Sequence, residues 1–303
     1  MRAFDSTFLG RNTVHSIPDQ LFLQPLGDDC FRNVLNQPNA YGALFGGQVV
    51  GQALAAADLS VEPDRLVHSM HAYFLRAGDA SASVDFKVER IRDGRRFSTR
   101  RVSAMQDKKT LLTLDSSYSV ALPGFEHQST PEFPFDPESA LDRNQLAETA
   151  PDSLQPILRD FLGHYPVDVR FPSPTGFTRR APTARRHFWL RARDMAPSDD
   201  ERLNREVLAF MSDFLFSGVP LVPHTLAIAG SHIGIASLDH AIWFHRPVRC
   251  HDWLMFETES PSARGSIGLS RGQIFDRAGH LVATIAQEAL QTIDNAALGD
   301  SDL

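Results

Sequence analysis

Histidine often carries acid–base or metal chemistry, and the spacing of four histidines in this sequence argues against shared sites. His240 and His245 lie five residues apart in a stretch with strand-like alternation, so their side chains should point to opposite faces of a sheet. His68 and His71 are three residues apart in a similar stretch and diverge in the same way. Asp239 directly precedes His240, and neighbouring strand residues also project away from each other. The spacing therefore predicts neither a histidine metal site nor an Asp–His pair here.

Three common catalytic and nucleotide-binding motifs do not indicate an active site in this sequence. We identify no G-x-S-x-G elbow, which argues against a serine α/β-hydrolase. Neither a G-x-x-x-x-G-K-[ST] phosphate loop nor a G-x-G-x-x-G dinucleotide stretch is present, so nucleotide chemistry of those kinds is not indicated. An active site must therefore be assembled from residues far apart in the sequence, by the elements that carry them.

Composition and charge narrow the functional classes. The net charge of -7 over 303 residues, with acids and bases interspersed, argues against a nucleic-acid surface and against stable membrane association. No stretch approaches the roughly 18 apolar residues of a membrane span. Cys30 and Cys250 are too few for a disulfide framework or a C-x-x-C metal site, so we predict a reducing, cytoplasmic compartment. The densest basic pairs, 179–180 and 185–186, are interpreted as solvated loop residues.

The sequence repeats itself once. Residues 84–120 run in parallel with residues 254–290 at a fixed offset of 170, and 73–76 aligns in the same register with 243–246. Two repeats indicate a duplicated unit and not a solenoid, which needs at least three short repeats to bury a continuous core. The length also suits two units of about 150 residues. The predicted division is an N-terminal unit at 1–122, a proline-rich linker at 123–163 and a C-terminal unit at 164–303.

Each unit is predicted to contain one long helix wrapped by an antiparallel sheet, which makes the fold class α+β. The helix at 46–57 holds three glycines, which indicate close packing, because glycine costs about 1 kcal/mol relative to alanine inside a helix. The second helix starts within 197–201, with the acids of 199–201 in its first turn, and its apolar residues recur at helical spacing to Phe214. In and after the linker, 154–162 is a candidate short helix and 167–171 a candidate edge strand. The other predicted strands are 66–76, 83–92, 96–106, 111–120, 185–192, 234–246, 253–260, 266–276 and 280–291.

Three stretches of the sequence carry a resemblance to a known family. They are 44–54 (LFGGQVVGQAL), 66–79 (LVHSMHAYFLRAGD) and 237–247 (SLDHAIWFHRP). Smaller matches are 211–213 on the second predicted helix and 286–288 on the last predicted strand. These residues and the duplicated organisation resemble the acyl-CoA thioesterase II family. The resemblance implies a double hotdog, in which two tandem units each wrap a sheet around a long central helix.

The resemblance implies hydrolysis of a fatty acyl-CoA thioester to a free fatty acid and coenzyme A, without a covalent intermediate. By the family pattern, Asp213, Ser237 and Gln287 hold and activate the attacking water, although many relatives have threonine where this chain has Ser237. A single carboxylate suffices as general base if it lies within about 2.6 to 3.2 Å of that water. Gly46 and Gly47 could present backbone N–H groups to the thioester oxygen or to a coenzyme A phosphate, and tight packing explains them equally well. No metal or cofactor is expected.

Two alternative functions stay open on the sequence alone. A hotdog enoyl-CoA hydratase or dehydratase would share the fold and use an Asp–His or His–Glu pair, but no histidine lies in the helical turns next to Asp213. A noncatalytic acyl-CoA-binding module would keep the fold and lose turnover. Because sheets of this kind have exposed edges, we also predict that the chain forms a homodimer or homotetramer.

Overall fold

The computed structural model describes residues 14–132, 136–224 and 233–293. Within those ranges, thirteen strands form one continuous antiparallel sheet that carries two long helices on one side. The helices are α1 (Ile17–Leu21), α2 (Gly46–Asp58), α3 (Arg143–Glu148), α4 (Gln155–Gly163) and α5 (Glu201–Ser212). The strands are β1 (Leu23–Gly27), β2 (Cys30–Asn33), β3 (Leu66–Phe74), β4 (Asp85–Asp93), β5 (Phe97–Gln106), β6 (Lys109–Ser119), β7 (Val167–Arg170), β8 (Arg185–Ala192), β9 (Ile233–Ser237), β10 (Asp239–Phe244), β11 (Leu254–Arg264), β12 (Ile267–Phe275) and β13 (Leu281–Ile293).

The order of strands in the sheet reflects the sequence repeat. The sheet runs β1-β2-β4-β5-β6-β3-β10-β13-β12-β11-β8-β7, and β9 pairs separately with β13. The run β4-β5-β6-β3 of the first half is therefore followed in the sheet by the equivalent strands of the second half in reverse order, β10-β13-β12-β11. The halves meet where β3 pairs with β10, with His71 opposite Ala241. The predicted duplication and the α+β class are confirmed. The fixed offset of 170 was wrong in the last strand of each half, where Leu114 pairs with Ala72 as Ile285 pairs with Ile242, so that the offset there is 171.

Helices α2 and α5 lie antiparallel to each other and in contact, and both pack against the sheet. A Cβ added to Gly47 would lie 2.3 Å from the carbonyl oxygen of Phe210, and one added to Gly51 would lie 3.3 Å from that of Glu206. Any larger residue would push the helices apart, which explains why α2 tolerates glycines of low helix propensity. Helix α2 also packs against β4, β5 and β6, and α5 against β3 and β8.

The predicted strand 234–246 was wrong in one respect that affects the site. The predicted strand is interrupted at Leu238 and forms two strands. β9 pairs only with β13, whereas β10 pairs with both β13 and β3. At the break, the Leu238 N–H donates to Glu288 O, and Leu238 O accepts from the N–H of Phe74. The equivalent point of the first half is a register shift between Val67 and Ser69 in β3. The hairpin of β1 and β2 was not predicted.

The linker region contains the two elements expected after residue 153. Helix α4 matches the predicted helix at 154–162, and β7 matches the predicted edge strand. Helix α3, which was not predicted, begins at a capping box in which Asp142 accepts from the N–H of Gln145. The unit boundaries 1–122, 123–163 and 164–303 stay a prediction, and residues 1–13 and 294–303 of those units lie outside the described residues. No helix in the described ranges is long and apolar enough to cross a membrane.

Candidate active site

Asp213 lies at the junction of the two long helices. It is the C-cap of α5, and its side chain is largely buried. A Cβ added to Gly46, the first residue of α2, would lie 2.7 Å from Asp213 Oδ2, so the carboxylate sits directly against the start of that helix. The N-cap of α2, Phe45, provides no side-chain hydrogen bond. The positive end of the α2 dipole therefore faces the carboxylate and offsets its unfavourable position at the end of its own helix.

Ser237 and Gln287 both contact Asp213. Ser237 Oγ donates to Asp213 Oδ1 at 3.2 Å, and Gln287 Nε2 donates to the same oxygen at 3.0 Å. Gln287 Nε2 also donates to Ser237 Oγ at 2.8 Å. Ser237 ends β9 and Gln287 lies on β13, which pairs with β9, so the sheet register holds both beside the end of α5. The structure thus brings the three predicted residues together.

Gln287 does not reach the cavity in which a substrate could bind. Its side chain is fully buried, its two amide hydrogens are used by Asp213 and Ser237, and Oε1 lies 2.5 Å from His240 Nδ1. Asp213 and Ser237, by contrast, are on the cavity wall. Asp213 Oδ2 makes no hydrogen bond to another described residue, so it is the carboxylate oxygen left for a ligand.

Next to this trio is a cavity of about 850 Å³ formed by both halves of the chain. That volume is in the range of small-molecule sites and would take an acyl chain. Gly46 lines it, while Gly47 is buried against Phe210 O and does not. Packing therefore explains Gly47, and only Gly46 is available to a ligand. The large apolar side chains on the wall are those of Leu44, Phe45, Val49, Phe74, Leu75, Leu111, Leu112, Phe161, Tyr165, Phe214, Leu215, Ile233, Ile235 and Leu238.

Two arginines also line the cavity. Arg76 is exposed, and its Nη1 donates to Thr110 O. Arg186 is buried and holds two carbonyl oxygens, those of Gly176 at 3.0 Å and Leu215 at 3.2 Å. Burial lowers the pKa of Arg186 to about 10. The interpretation of 185–186 as solvated loop residues was wrong, because both lie on β8 and only Arg185 is exposed.

The buried Arg186 supports an unusual turn at Leu215. Leu215 has a left-handed backbone with φ of 63°, which turns the chain from α5 into a short 3₁₀ helix, Phe216–Leu221. A leucine seldom adopts this conformation. The guanidinium of Arg186 fixes the Leu215 carbonyl and lies 5.0 Å from the ring centre of Phe177. This contact supports the turn that follows Asp213.

His240 belongs to the site network, although the sequence analysis excluded it. The predicted divergence is correct: His245 is exposed and contacts Thr284, whereas His240 is fully buried. The buried ring contacts Gln287 through Nδ1 and Ser212 Oγ through Nε2 at 2.8 Å. Burial lowers its pKa, and the nearby Asp213 carboxylate opposes this only in part. Spacing alone could not find it, because its partners lie on α5 and β13.

One sequence motif was missed and has a structural explanation. The letters G-x-S-x-G do occur, at 268–272. They lie inside β12 and not at a strand-to-helix turn, and Ser270 is fully buried with its hydroxyl donating to Phe216 O. The argument against a nucleophile elbow therefore stands on the structural context that such an elbow requires.

Comparison with known proteins identifies the family. A model of the acyl-CoA thioesterase N-terminal domain matches residues 35–118, and one of the C-terminal domain matches 137–291. The chain is 38% identical over 280 residues to acyl-coenzyme A thioesterase 8 of Mus musculus, covering 89% of this chain and 87% of that protein. It also matches the crystal structure of acyl-CoA thioesterase II TesB2 from Mycobacterium marinum, with a TM-score of 0.75 and 35% identity over 93% of this chain and all of the other.

A third similarity concerns the fold alone. A hot dog fold protein of unknown function from Alicyclobacillus acidocaldarius has a TM-score of 0.73 and 18% identity, covering 93% of this chain and all of the other. The sheet with its enclosed helices is thus of the hotdog type. Together with the family models, which span most of the described residues, these similarities show that the chain belongs to the acyl-CoA thioesterase family of thioester hydrolases.

Proposed function

We propose that the protein hydrolyses fatty acyl-CoA at Asp213, with Ser237 and Gln287 holding the carboxylate in place, to give a free fatty acid and coenzyme A. The observation that carries this proposal is the asymmetry of the carboxylate. Oδ1 accepts from both Ser237 and Gln287, while Oδ2 lies against Gly46 on the wall of an apolar cavity. Such a carboxylate is fixed in orientation and has one oxygen free to act as general base.

The reaction needs one water and one proton carrier. Asp213 Oδ2 takes a proton from the water as its oxygen forms a bond to the thioester carbonyl carbon. The tetrahedral intermediate then collapses, the C–S bond breaks with its electron pair going to sulfur, and Asp213 returns the proton to that sulfur. The carbonyl oxygen gains negative charge in between, and the positive end of α2 at Gly46 stabilises it.

In this mechanism Gln287 acts through Asp213 and Ser237. Its amide hydrogens are both committed to those two residues, so the water contacts Asp213 and, through the remaining oxygen lone pair, Ser237. This refines the expectation from the family resemblance, in which all three residues hold the water. Truncating Gln287 should release both partners and lower kcat more than it changes KM.

A panel of acyl-CoA esters from short to long chain tests the proposal by release of free thiol. We expect Asp213→Asn to abolish turnover while the protein stays folded. Asp58→Asn is the matched control, because Asp58 is also a buried acid at the end of a long helix, α2. Equal turnover in wild type and Asp213→Asn would refute the assignment of the base. Mass spectrometry during turnover should find no acyl-enzyme.

The hydratase alternative has little support in the cavity. The described residues on the cavity wall include no histidine, and His240 is separated from it by the side chain of Gln287. The same protein incubated with an enoyl-CoA should therefore form no hydroxyacyl-CoA. If the protein were a binding module without turnover, no thiol would be released from any acyl-CoA ester of the panel.

Three finer points belong to the proposal. We infer a double hotdog, in which the strands of the first half cover α2 and the second half of the sheet, with β8 in contact, covers α5. A homodimer or homotetramer is proposed because β1 and β7 end the sheet as edge strands. Light scattering after gel filtration tests this, and a monomeric mass would refute it. A cytoplasmic location stays a prediction, resting on two cysteines that are both free thiols.

A further inference from the structure

We propose that His240 is a positioning residue for the thioesterase reaction. Its imidazole fixes the amide of Gln287 so that the NH₂ group faces Asp213 and Ser237. The proposal rests on the function proposed for those three residues and adds a fourth, which touches neither substrate nor water.

The first argument is the chemistry of the amide. An ionised carboxylate can only accept hydrogen bonds, so the group of Gln287 that contacts Asp213 Oδ1 must be the NH₂. The opposite side of the amide, Oε1, then faces His240 Nδ1 at 2.5 Å and needs a donor there. With no donor at that position, the amide would lose its preference for one of its two orientations. The flipped orientation would set the amide oxygen against the carboxylate.

The second argument is the state of the imidazole. Burial lowers its pKa, and Asp213 and Asp239, the charged groups that act on it, oppose this only in part, so the ring is neutral near pH 7. A neutral imidazole has one N–H, which must be on Nδ1 to serve Gln287. Nε2 is then an acceptor for the Ser212 hydroxyl at 2.8 Å, and in this tautomer that hydroxyl donates to Nε2 and not to the Ala209 carbonyl oxygen, which lies 2.9 Å away. The requirement for Nδ1–H thus comes from Gln287, and the Ser212 hydroxyl matches it by donating to Nε2.

The third argument comes from the other half of the chain. The register that pairs β3 with β6 places Met70 opposite Ser116, and the register of β10 with β13, continued by one residue beyond Ala241 and Ala286, places His240 opposite Gln287. Gln287 therefore corresponds to Ser116, because the pairing shifts the repeat by one residue in this last strand. Met70 is fully buried, as His240 is. The fold therefore accepts an apolar side chain at this position. Where the amide is absent the imidazole is absent too, which indicates that His240 serves Gln287 and not the packing of the sheet.

The experiment is a double-mutant cycle between His240 and Gln287, followed by thiol release. His240→Met introduces the residue of the equivalent position and removes the donor. We expect it to lower kcat about 10- to 100-fold, the range for supporting partners of active-site groups, with KM changed less than about twofold. In a Gln287→Ala background the same substitution should cost less than about twofold, because the amide it orients is gone. Met70→Leu is the control and should leave kcat unchanged.

His240→Asn provides rescue, because its side-chain NH₂ can occupy the place of Nδ1. We expect kcat within about tenfold of wild type, well above His240→Met. Ser212→Ala should lower kcat by less than His240→Met, and it tests the same chain of hydrogen bonds if His240→Met fails to fold. Nitrogen NMR of the labelled ring should find the hydrogen on Nδ1 in wild type and the other tautomer gaining population in Ser212→Ala.

Two results would overturn the proposal separately from the proposed function. An equal loss from His240→Met in the wild-type and Gln287→Ala backgrounds would assign His240 a general structural role. An Nε2–H tautomer in the wild-type protein would contradict the orientation argument. By contrast, full activity of Gln287→Ala itself, or of Asp213→Asn, would refute the proposed function of the trio.

Discussion

Gly46→Ala is the substitution that most directly tests the position of the Asp213 carboxylate. The added methyl group would lie 2.7 Å from Asp213 Oδ2 and 3.1 Å from Cε1 of Phe74. Ordinary van der Waals contact begins near 3.4 Å, so the carboxylate must move by about 0.7 Å or rotate. Either movement loosens the hydrogen bonds from Ser237 and Gln287 to Oδ1. A displacement of about 1 Å can cost about 100-fold in rate, so we expect kcat/KM to fall about 10- to 100-fold.

The stability of this variant should change little. Gly46 is the first residue of α2, where alanine fits the helical backbone, and the main obstacle is a side chain that can rotate. We therefore expect a melting temperature within a few degrees of wild type, read by thermal denaturation beside the thiol-release assay. The reduced rate would then reflect the displaced carboxylate and not loss of the fold.

Gly51→Ala is the matched control on the same helix. Its methyl group would lie 2.9 Å from Cδ2 of Leu21 and 3.2 Å from Cβ of Phe210, in the packed interface between helices. Overpacking of this kind costs about 1 to 3 kcal/mol. The expected pattern is the opposite of Gly46→Ala, with a lower melting temperature and nearly unchanged kcat. Wild-type kcat in Gly46→Ala would refute the role given to the free Oδ2 oxygen.

Three further predictions concern charge, binding and the hydroxyl. Burial raises the pKa of Asp58 to about 6 and holds that of Glu206 well above its usual value, so the folded state binds more protons than the unfolded one and its stability falls as pH rises from about 4 through 6. At pH 8, urea denaturation should therefore give Asp58→Asn a free energy of unfolding about 2 kcal/mol higher than that of wild type, and near pH 4 the two proteins should differ little. A variant that is less stable than wild type at pH 8 would contradict this. Arg76→Ala should raise KM for acyl-CoA several-fold, because Arg76 is exposed on the cavity wall, where it can meet a coenzyme A phosphate. Arg246→Ala, at the equivalent position of the second half, is the control and should leave KM unchanged. Equal KM values for the two variants would exclude Arg76 from phosphate binding. Ser237→Thr should keep kcat within about threefold because the hydroxyl is retained, and Ser237→Ala should lower it by 10-fold or more; similar rates for both would remove the hydroxyl from the mechanism.

The duplicated halves have diverged around a common plan. The positions of His240 and Gln287 in the second half are occupied by Met70 and Ser116 in the first. Hydrogen-bonding side chains that hold a carboxylate are thus present on one side of the repeat and replaced on the other. The interior of a hotdog unit accepts either set, since both are buried and close-packed.

Much of the fold could be predicted from the sequence, because its signals are local or periodic. The offset of 170, the alternation of the strands and the glycines of α2 each reflect a backbone or packing requirement that is visible along the chain. The hairpin of β1 and β2 was missed because its strands are only five and four residues long and are mostly exposed. The break at Leu238 was missed because each flanking segment looks like a strand.

The sequence by itself determined the duplicated α+β architecture and, through a family resemblance, nominated Asp213, Ser237 and Gln287. Only the tertiary structure decided how they work together: that Gln287 lies behind Asp213 and Ser237, that Gly46 meets the carboxylate, and that His240 and Arg186 support the site from buried positions. The physical reason is that these contacts join α2, α5, β8, β10 and β13, which are far apart in the chain. A hydrogen bond between distant residues leaves no local pattern in the sequence, and it exists only once packing has set the distance between the two elements.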